Sequence, residues 1–131
     1  SDYNIVCKNA DQKIESLSGG NIQKVVVARE CSVEPDLLIA EQPTRGVDVG
    51  AAEFIHKEII KLRDKGTAVL LVSADLNEAL ELSDSLLVMF EGEFVAYIEN
   101  PSQTTEDELG LFMLGIKKQS DEEIGRAINE F

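Results

Sequence analysis

The sequence has no apolar run long enough to cross a membrane. Its longest, residues 68–72 and 86–90, are strand-sized, whereas a spanning helix needs about 20 apolar residues. It has no basic-then-apolar leader at its start. Basic residues are few, 12 Lys and Arg against 25 Asp and Glu, for a formal net charge of −13. That balance argues against general nucleic-acid binding, which needs clustered Lys and Arg, and fits a solvated surface. Cysteine is scarce: Cys7 and Cys31 match no metal-ligand spacing and read as reduced thiols of a cytosolic protein. His56 is the lone histidine, mid-helix near Glu53 and Lys57, and reads as a surface residue because pH sensing needs a partner. Internal repeats and low-complexity segments are absent. At 131 residues and 44% apolar, the chain is one domain or a piece of one, with enough apolar content for a real core.

What is present centres on Leu17-Ser18-Gly19-Gly20-Asn21-Ile22-Gln23-Lys24. A serine and two glycines directly precede an apolar-periodic run, so a helix starts there with almost bare backbone. Ser18 is placed to cap it, and Gly19 and Gly20 let a ligand approach the peptide N–H groups. Those first N–H groups have no internal partner and carry the positive end of the helix dipole, which suits an anion such as phosphate. The same tripeptide also serves as an ordinary cap and turn.

Residues 1–16 are polar and irregular. A helix is expected over 18–32, with Ile22, Val25, Val26 and Arg29 on one side and Glu34-Pro35 closing it. Leu37-Leu38-Ile39-Ala40 reads as a short buried parallel strand. A helix over 49–65 follows, buried through Ala51, Ile55, Ile59 and Leu62, with Gly66 as its left-handed stop. Residues 67–73 form a second buried strand, and Asp75-x-x-Glu78 is a capping box for a short helix through Leu82. Residues 85–90 and 93–98 flank Glu91-Gly92 as a β-hairpin. Thr105-x-x-Glu108 and Ser120-x-x-Glu123 open two final helices, the second with Ile124, Ala127, Ile128 and Phe131 on one face. Strand alternating with helix implies an α/β layer structure with parallel pairing.

In open α/β sheets ligands sit at the carboxyl ends of the strands. Glu41 and Gln42 leave the first strand there, where a carboxylate holds Mg²⁺ through water beside nucleotide phosphates; an ordinary loop carboxylate is the plain alternative. The two stretches together, Leu17-Ser18-Gly19-Gly20 and Asp36-Leu-Leu-Ile-Ala-Glu-Gln-Pro-Thr-Arg-Gly-Val-Asp48, resemble the back half of an ABC-type ATPase domain. The first is similar to the family's signature motif (residues 17–24). The second is similar to its Walker B strand (36–42) and D-loop (46–48). Gly20-Asn21 and the run from Pro43 to Ala51 resemble the second ATPase domain of tandem-domain sugar and nucleoside importers.

The resemblance implies a partial P-loop NTPase core: a mostly parallel sheet, flanking helices, and a C-terminal hairpin and helices over 85–131. It implies that Ser18, Gly19, Gly20, Asn21 and Asp48 meet an ATP bound by another ABC ATPase domain, the N-terminal half of the same polypeptide in the tandem importers. It places Glu41 at the Mg²⁺ position. It also exposes departures. Gln42 stands where the family has a catalytic glutamate, and a neutral amide cannot take a proton from water, at a cost of about 10²–10⁴ in rate. Ala74 stands at the switch histidine, with no side chain to reach a γ-phosphate. No Gly-x-x-x-x-Gly-Lys-Ser/Thr occurs; with Ser1 opening the chain, residues 1–131 are expected to be the C-terminal part of one ATPase domain, inactive alone. Its strands should then leave apolar surface uncovered, so self-association is expected.

The implied assembly adds transmembrane permease subunits and, indirectly, an extracytoplasmic solute-binding protein, at the cytoplasmic face of a bacterial-type membrane, with no nucleic acid bound. Gln42 tilts the cargo toward nucleoside over sugar. Competing readings are a non-transport ABC-type ATPase of DNA repair or translation, whose members usually keep the catalytic glutamate and switch histidine, and a catalytically silent interaction domain. Asp48 also reads as a plain helix N-cap, Gln23 and Lys24 as polar helix surface or, as the alternative, contacts of the signature helix, and Arg45 as an exposed loop residue. The carboxylates at 106–108 and 121–123 read as first-turn helix residues.

Overall fold

The computed structural model describes residue 3, residues 5–9 and residues 11–129, and for residues 128 and 129 the backbone only. The chain divides into two compact units, the first ending at Val72 and the second starting at Ser73.

The first unit holds a short 3-10 turn, Ile14–Ser16, then α1 (Gly19–Cys31), β1 (Leu37–Glu41), α2 (Val49–Asp64) and β2 (Ala68–Val72). The expected stripe of α2 is its buried face: Ala51, Ile55, Ile59 and Leu62 all lie inside, Ile55 completely. The 3.6-residue period puts these four on one side, and the helix they form covers the crossover between two strands. Gly66 follows at φ +102°, the left-handed stop that lets Thr67 donate its N–H back to the Leu62 carbonyl at 3.1 Å.

β1 and β2 pair in parallel, Leu37 with Ala68 through Glu41 with Val72. The expectation that both strands are buried is wrong for one face. Leu37, Ile39, Leu70 and Val72 are 55%, 62%, 53% and 46% exposed, while the intervening residues are half-buried. Alternation is a property of the strand; whether a face is covered depends on what packs against it. α1 also departs from its expected face. Val26 and Arg29 are exposed and only Cys31 is buried. Burial, with Glu58 and Glu30 nearby, pushes the Cys31 thiol pKa up.

The second unit comprises α3 (Leu76–Leu82), β3 (Leu86–Phe90), β4 (Glu93–Ile98), a 3-10 turn (Pro101–Gln103), α4 (Glu106–Met113) and α5 (Asp121–Asn129). The third strand does not extend the parallel pair: β3 pairs antiparallel with β4 alone, in a separate two-stranded sheet. Glu91 and Gly92 take φ +50° and +85°, the double left-handed turn that matches hairpin twist. Val88, Val95, Ala96, Ile98, Leu109 and Phe112 form the core of this unit. Asp75 accepts from the N–H groups of Asn77 and Glu78, and Thr105 from that of Glu108. Ile124 is buried as expected; Phe131 and the Ile128 side chain lie outside the described residues.

Ser120 and Glu123 form the reciprocal box in full. The Ser120 N–H donates to the Glu123 carboxylate at 2.8 Å, its hydroxyl does so at 2.7 Å, and the Glu123 N–H returns to Ser120 Oγ at 3.3 Å. The hydroxyl and then the backbone N–H of Ser120 hold the Glu123 pKa below its ordinary 4.5. A depressed carboxylate pKa stabilises the fold above the unfolded value and loses that contribution as pH falls from 4.5 through the folded value. Acid titration followed by amide exchange should therefore show α5 loosening below pH 4.5 in the parent and a flatter response in Glu123→Gln. Equal responses would contradict this role for the box.

Candidate functional site

Ser18 is extended (φ −65°, ψ 155°) and its carbonyl accepts the first helical N–H, from Ile22 at 2.9 Å. Its hydroxyl does not cap α1, contrary to expectation. The reason is competition: Oγ accepts instead from Asn21 Nδ2 at 2.9 Å. The first-turn N–H groups of α1 are thus left unclaimed by the Ser18 side chain.

The two glycines play different parts. A Cβ on Gly19 would meet nothing within 4 Å, and Gly19 is exposed, so the fold itself does not demand a glycine there. A Cβ on Gly20 would stand 2.8 Å from Asp48 Oδ2 and 3.2 Å from Ala51 Cβ. Gly20 is therefore the point where the start of α1 presses on the start of α2, a role that the expectation of ligand approach did not include. Asp48 in turn caps α2, accepting from the Ala51 N–H at 2.9 Å.

Gln23 and Lys24 are not plain helix surface. Gln23 Nε2 donates to the Pro43 carbonyl at 2.9 Å, tying α1 to the loop that leaves β1. The Lys24 ammonium lies 5.3 Å from the centre of the Phe54 ring. No local pattern pointed to the Gln23 bond, because its partner lies 20 positions further along the chain.

At the carboxyl end of β1, Glu41 is exposed and pairs in register with Val72, and the Gln42 N–H extends the ladder to the Val72 carbonyl at 2.8 Å. Gln42 is half-buried at φ +46°, a conformation that non-glycine residues rarely adopt. Arg45 is exposed, as expected, in the loop that follows. Ala74 is exposed and belongs to the second unit. The structure thus brings Gly20 and Asp48 together, and joins α1 to the loop after Gln42.

The residues fit a phosphate group at α1: open approach over Gly19, a polarised serine hydroxyl and unclaimed helix-start N–H groups point to an anion. Glu41 offers a single exposed carboxylate, suited to a water-mediated cation rather than a protein-built cage. Among the described residues no three His, Cys, Asp or Glu gather to hold a metal, and no helix is long and apolar enough to cross a membrane. Two shallow concavities, of about 230 Å³ beside Glu34 and Lys65 and about 460 Å³ beside Gln103 and Lys117, are lined by none of the expected site residues.

No family model matches the chain. Curated proteins do. The guanosine import ATP-binding protein NupO of Bacillus subtilis is 49% identical over 127 residues, 97% of this chain and 24% of that protein. The nucleoside import ATP-binding protein NupA of Lactococcus lactis is 53% identical over 76% of the chain and 20% of its own length. The glucose import ATP-binding protein TsgD13 of Haloferax volcanii is 51% identical over 80% of the chain and 19% of its own length. The chain therefore spans about a quarter or less of the curated relatives it matches. Among solved structures, the dimeric bacterial ABC transporter cassette MJ0796 superposes with a TM-score of 0.64 at 28% identity, over 72% of this chain and 41% of that one. Sequence and fold thus converge, and the chain belongs to the ABC ATPase cassettes, matching a segment of the sugar and nucleoside import ATP-binding proteins.

Proposed function

We propose that this chain is the signature-bearing part of an ATPase domain in an ABC importer, and that it completes the ATP site of a partner domain while its own site is degenerate. The observation that carries the proposal is the start of α1. Gly19 is open to an approaching group, Gly20 is pressed onto Asp48, and the Ser18 hydroxyl does not cap the backbone of its own helix. ATP supplies the phosphoryl group whose transfer to water drives transport. The chain's own part is to orient that phosphate: helix-start N–H groups and the Ser18 hydroxyl meet its negative charge, and the Gln23 bond to the loop and the packing of Gly20 on Asp48 hold the helix in place. The exposed aliphatic face of β1 and β2 suits continuation against further layers of such a domain.

In this reading Gln42 and Ala74 leave the chain's own Walker B side without a general base and without a switch side chain, and Glu41 retains the Mg²⁺ position. The domain acts at the cytoplasmic face of the membrane with permease subunits, and a solute-binding protein delivers cargo to them. Its relatives are ATP-binding proteins of guanosine, nucleoside, glucose and ribose import; the 49% match to a guanosine import protein along nearly the whole chain favours a nucleoside.

Two measurements test this. Gln42→Glu in the complete polypeptide should change ATP turnover by less than about threefold, because a base alone does not repair a site that also has Ala74. A gain approaching the roughly 10²–10⁴ worth of a general base would overturn the asymmetry. Uptake by the reconstituted importer should then run with purine nucleosides and not with ribose, galactose or glucose; the reverse preference would move the assignment to sugar.

A further inference from the structure

Asn21 makes two side-chain hydrogen bonds, and they run in series. The Val6 N–H donates to Asn21 Oδ1 at 2.9 Å, and Asn21 Nδ2 donates to Ser18 Oγ at 2.9 Å. A backbone N–H can only donate, so the amide atom facing Val6 is the oxygen, and the NH₂ group must face Ser18. This orders the direction of every proton along the line. Ser18 Oγ receives a hydrogen bond from one side, and its own proton then points elsewhere. That proton does not go to the helix start, whose N–H groups are donors themselves, and no acceptor for it occurs among the described residues.

We propose that Asn21 is a positioning residue: held by the Val6 N–H, it fixes the Ser18 hydroxyl as a donor for the phosphate of the partner-bound nucleotide. This rests on the reading of α1 as a phosphate-meeting signature helix. It changes the part expected of Asn21, which acts through Ser18 and does not itself contact the nucleotide. It also gives the segment before α1 a function, because Val6 sets the orientation of the amide. A hydroxyl that already accepts one hydrogen bond is a stronger donor of its own proton, since such chains polarise cooperatively. Hydrogen bonds to a charged acceptor are also the stronger class.

A double-mutant cycle in the complete polypeptide tests the idea through equilibrium binding of a non-hydrolysable ATP analogue. Ser18→Ala should weaken binding about tenfold, the scale of one hydrogen bond to a charged group, and Asn21→Ala should weaken it severalfold. The double variant should be no weaker than Ser18→Ala if Asn21 acts only through the hydroxyl, as proposed. Losses that multiply would mean that Asn21 acts independently, and an unchanged affinity in Asn21→Ala would mean that it does nothing; either overturns the proposal. No loss in Ser18→Ala would instead sink the signature reading beneath it. A second measurement avoids any change at the helix interior. In NMR of the complete polypeptide, isotope-labelled in this segment, one Asn21 side-chain amide proton should exchange with solvent more slowly than the other, and Ser18→Ala should erase the difference. Equal exchange in the parent chain would overturn the inference whatever the binding data.

Discussion

Gly19→Asp should abolish ATP turnover by the complete polypeptide while leaving the stability of this segment essentially intact. The two halves of that result have separate causes. Position 19 is exposed, and a Cβ there meets nothing within 4 Å, so the new side chain displaces no neighbour. A carboxylate in the first turn of a helix is even favoured by the dipole, by about 0.3–1 kcal/mol. Toward a phosphate, however, the same carboxylate is a like charge at close range. At about 4 Å and an effective dielectric near 20 the repulsion is roughly 4 kcal/mol, close to a thousandfold in binding. Steady-state hydrolysis and a thermal melt of the same preparation decide the matter. Turnover within tenfold of the parent, with the melt unchanged, would show that α1 does not meet phosphate.

Gly20→Ala should do the opposite, lowering the stability of the chain by about 1–3 kcal/mol, the usual scale of overpacking. Alanine is the better helix former by about 1 kcal/mol, so propensity alone predicts a gain. Sterics decide against it. The new methyl would lie 2.8 Å from Asp48 Oδ2 and 3.2 Å from Ala51 Cβ. Asp48 is not free to swing away, because its Oδ1 holds the Ala51 N–H at 2.9 Å, and losing that cap costs about 1 kcal/mol. Ala51 is only 2% exposed and belongs to the buried stripe of α2. Denaturant unfolding with Gly19→Ala as the control makes the comparison: equal midpoints for the two alanines would refute the packing role.

The elements that were legible in the sequence are those whose cause is local. Ala51, Ile55, Ile59 and Leu62 recur at helical spacing, Gly66 stops the helix they form, and Glu91-Gly92 turns the hairpin. Each depends on neighbours a few positions away, as do the caps at Asp75 and Thr105 and the full box at Ser120. What was not legible depends on distant residues or on competition between partners. Leu37 and Ile39 are apolar enough to be buried, yet nothing in a strand's own residues says whether a layer covers it. Ser18 has an N-cap's sequence position, but Asn21 takes its hydroxyl. The Gln23 amide finds a carbonyl 20 positions away, and Gly20 owes its lack of a side chain to Asp48. The motifs singled out the candidate residues, while the contacts among them are ones that motifs do not record.

The shared space at Gly20 and Asp48 has a consequence for how such sequences can change. The gap left by a missing methyl at position 20 is filled by the carboxylate at position 48, so the two positions form one constraint and cannot be altered independently. A side chain at 20 requires a shorter cap at 48, such as serine, and the order matters. Shortening the cap first costs a little helix stability and opens room, whereas adding the methyl first meets the clash at full cost. A mutational path that replaces this glycine therefore runs through the helix across from it, 28 positions further along the chain.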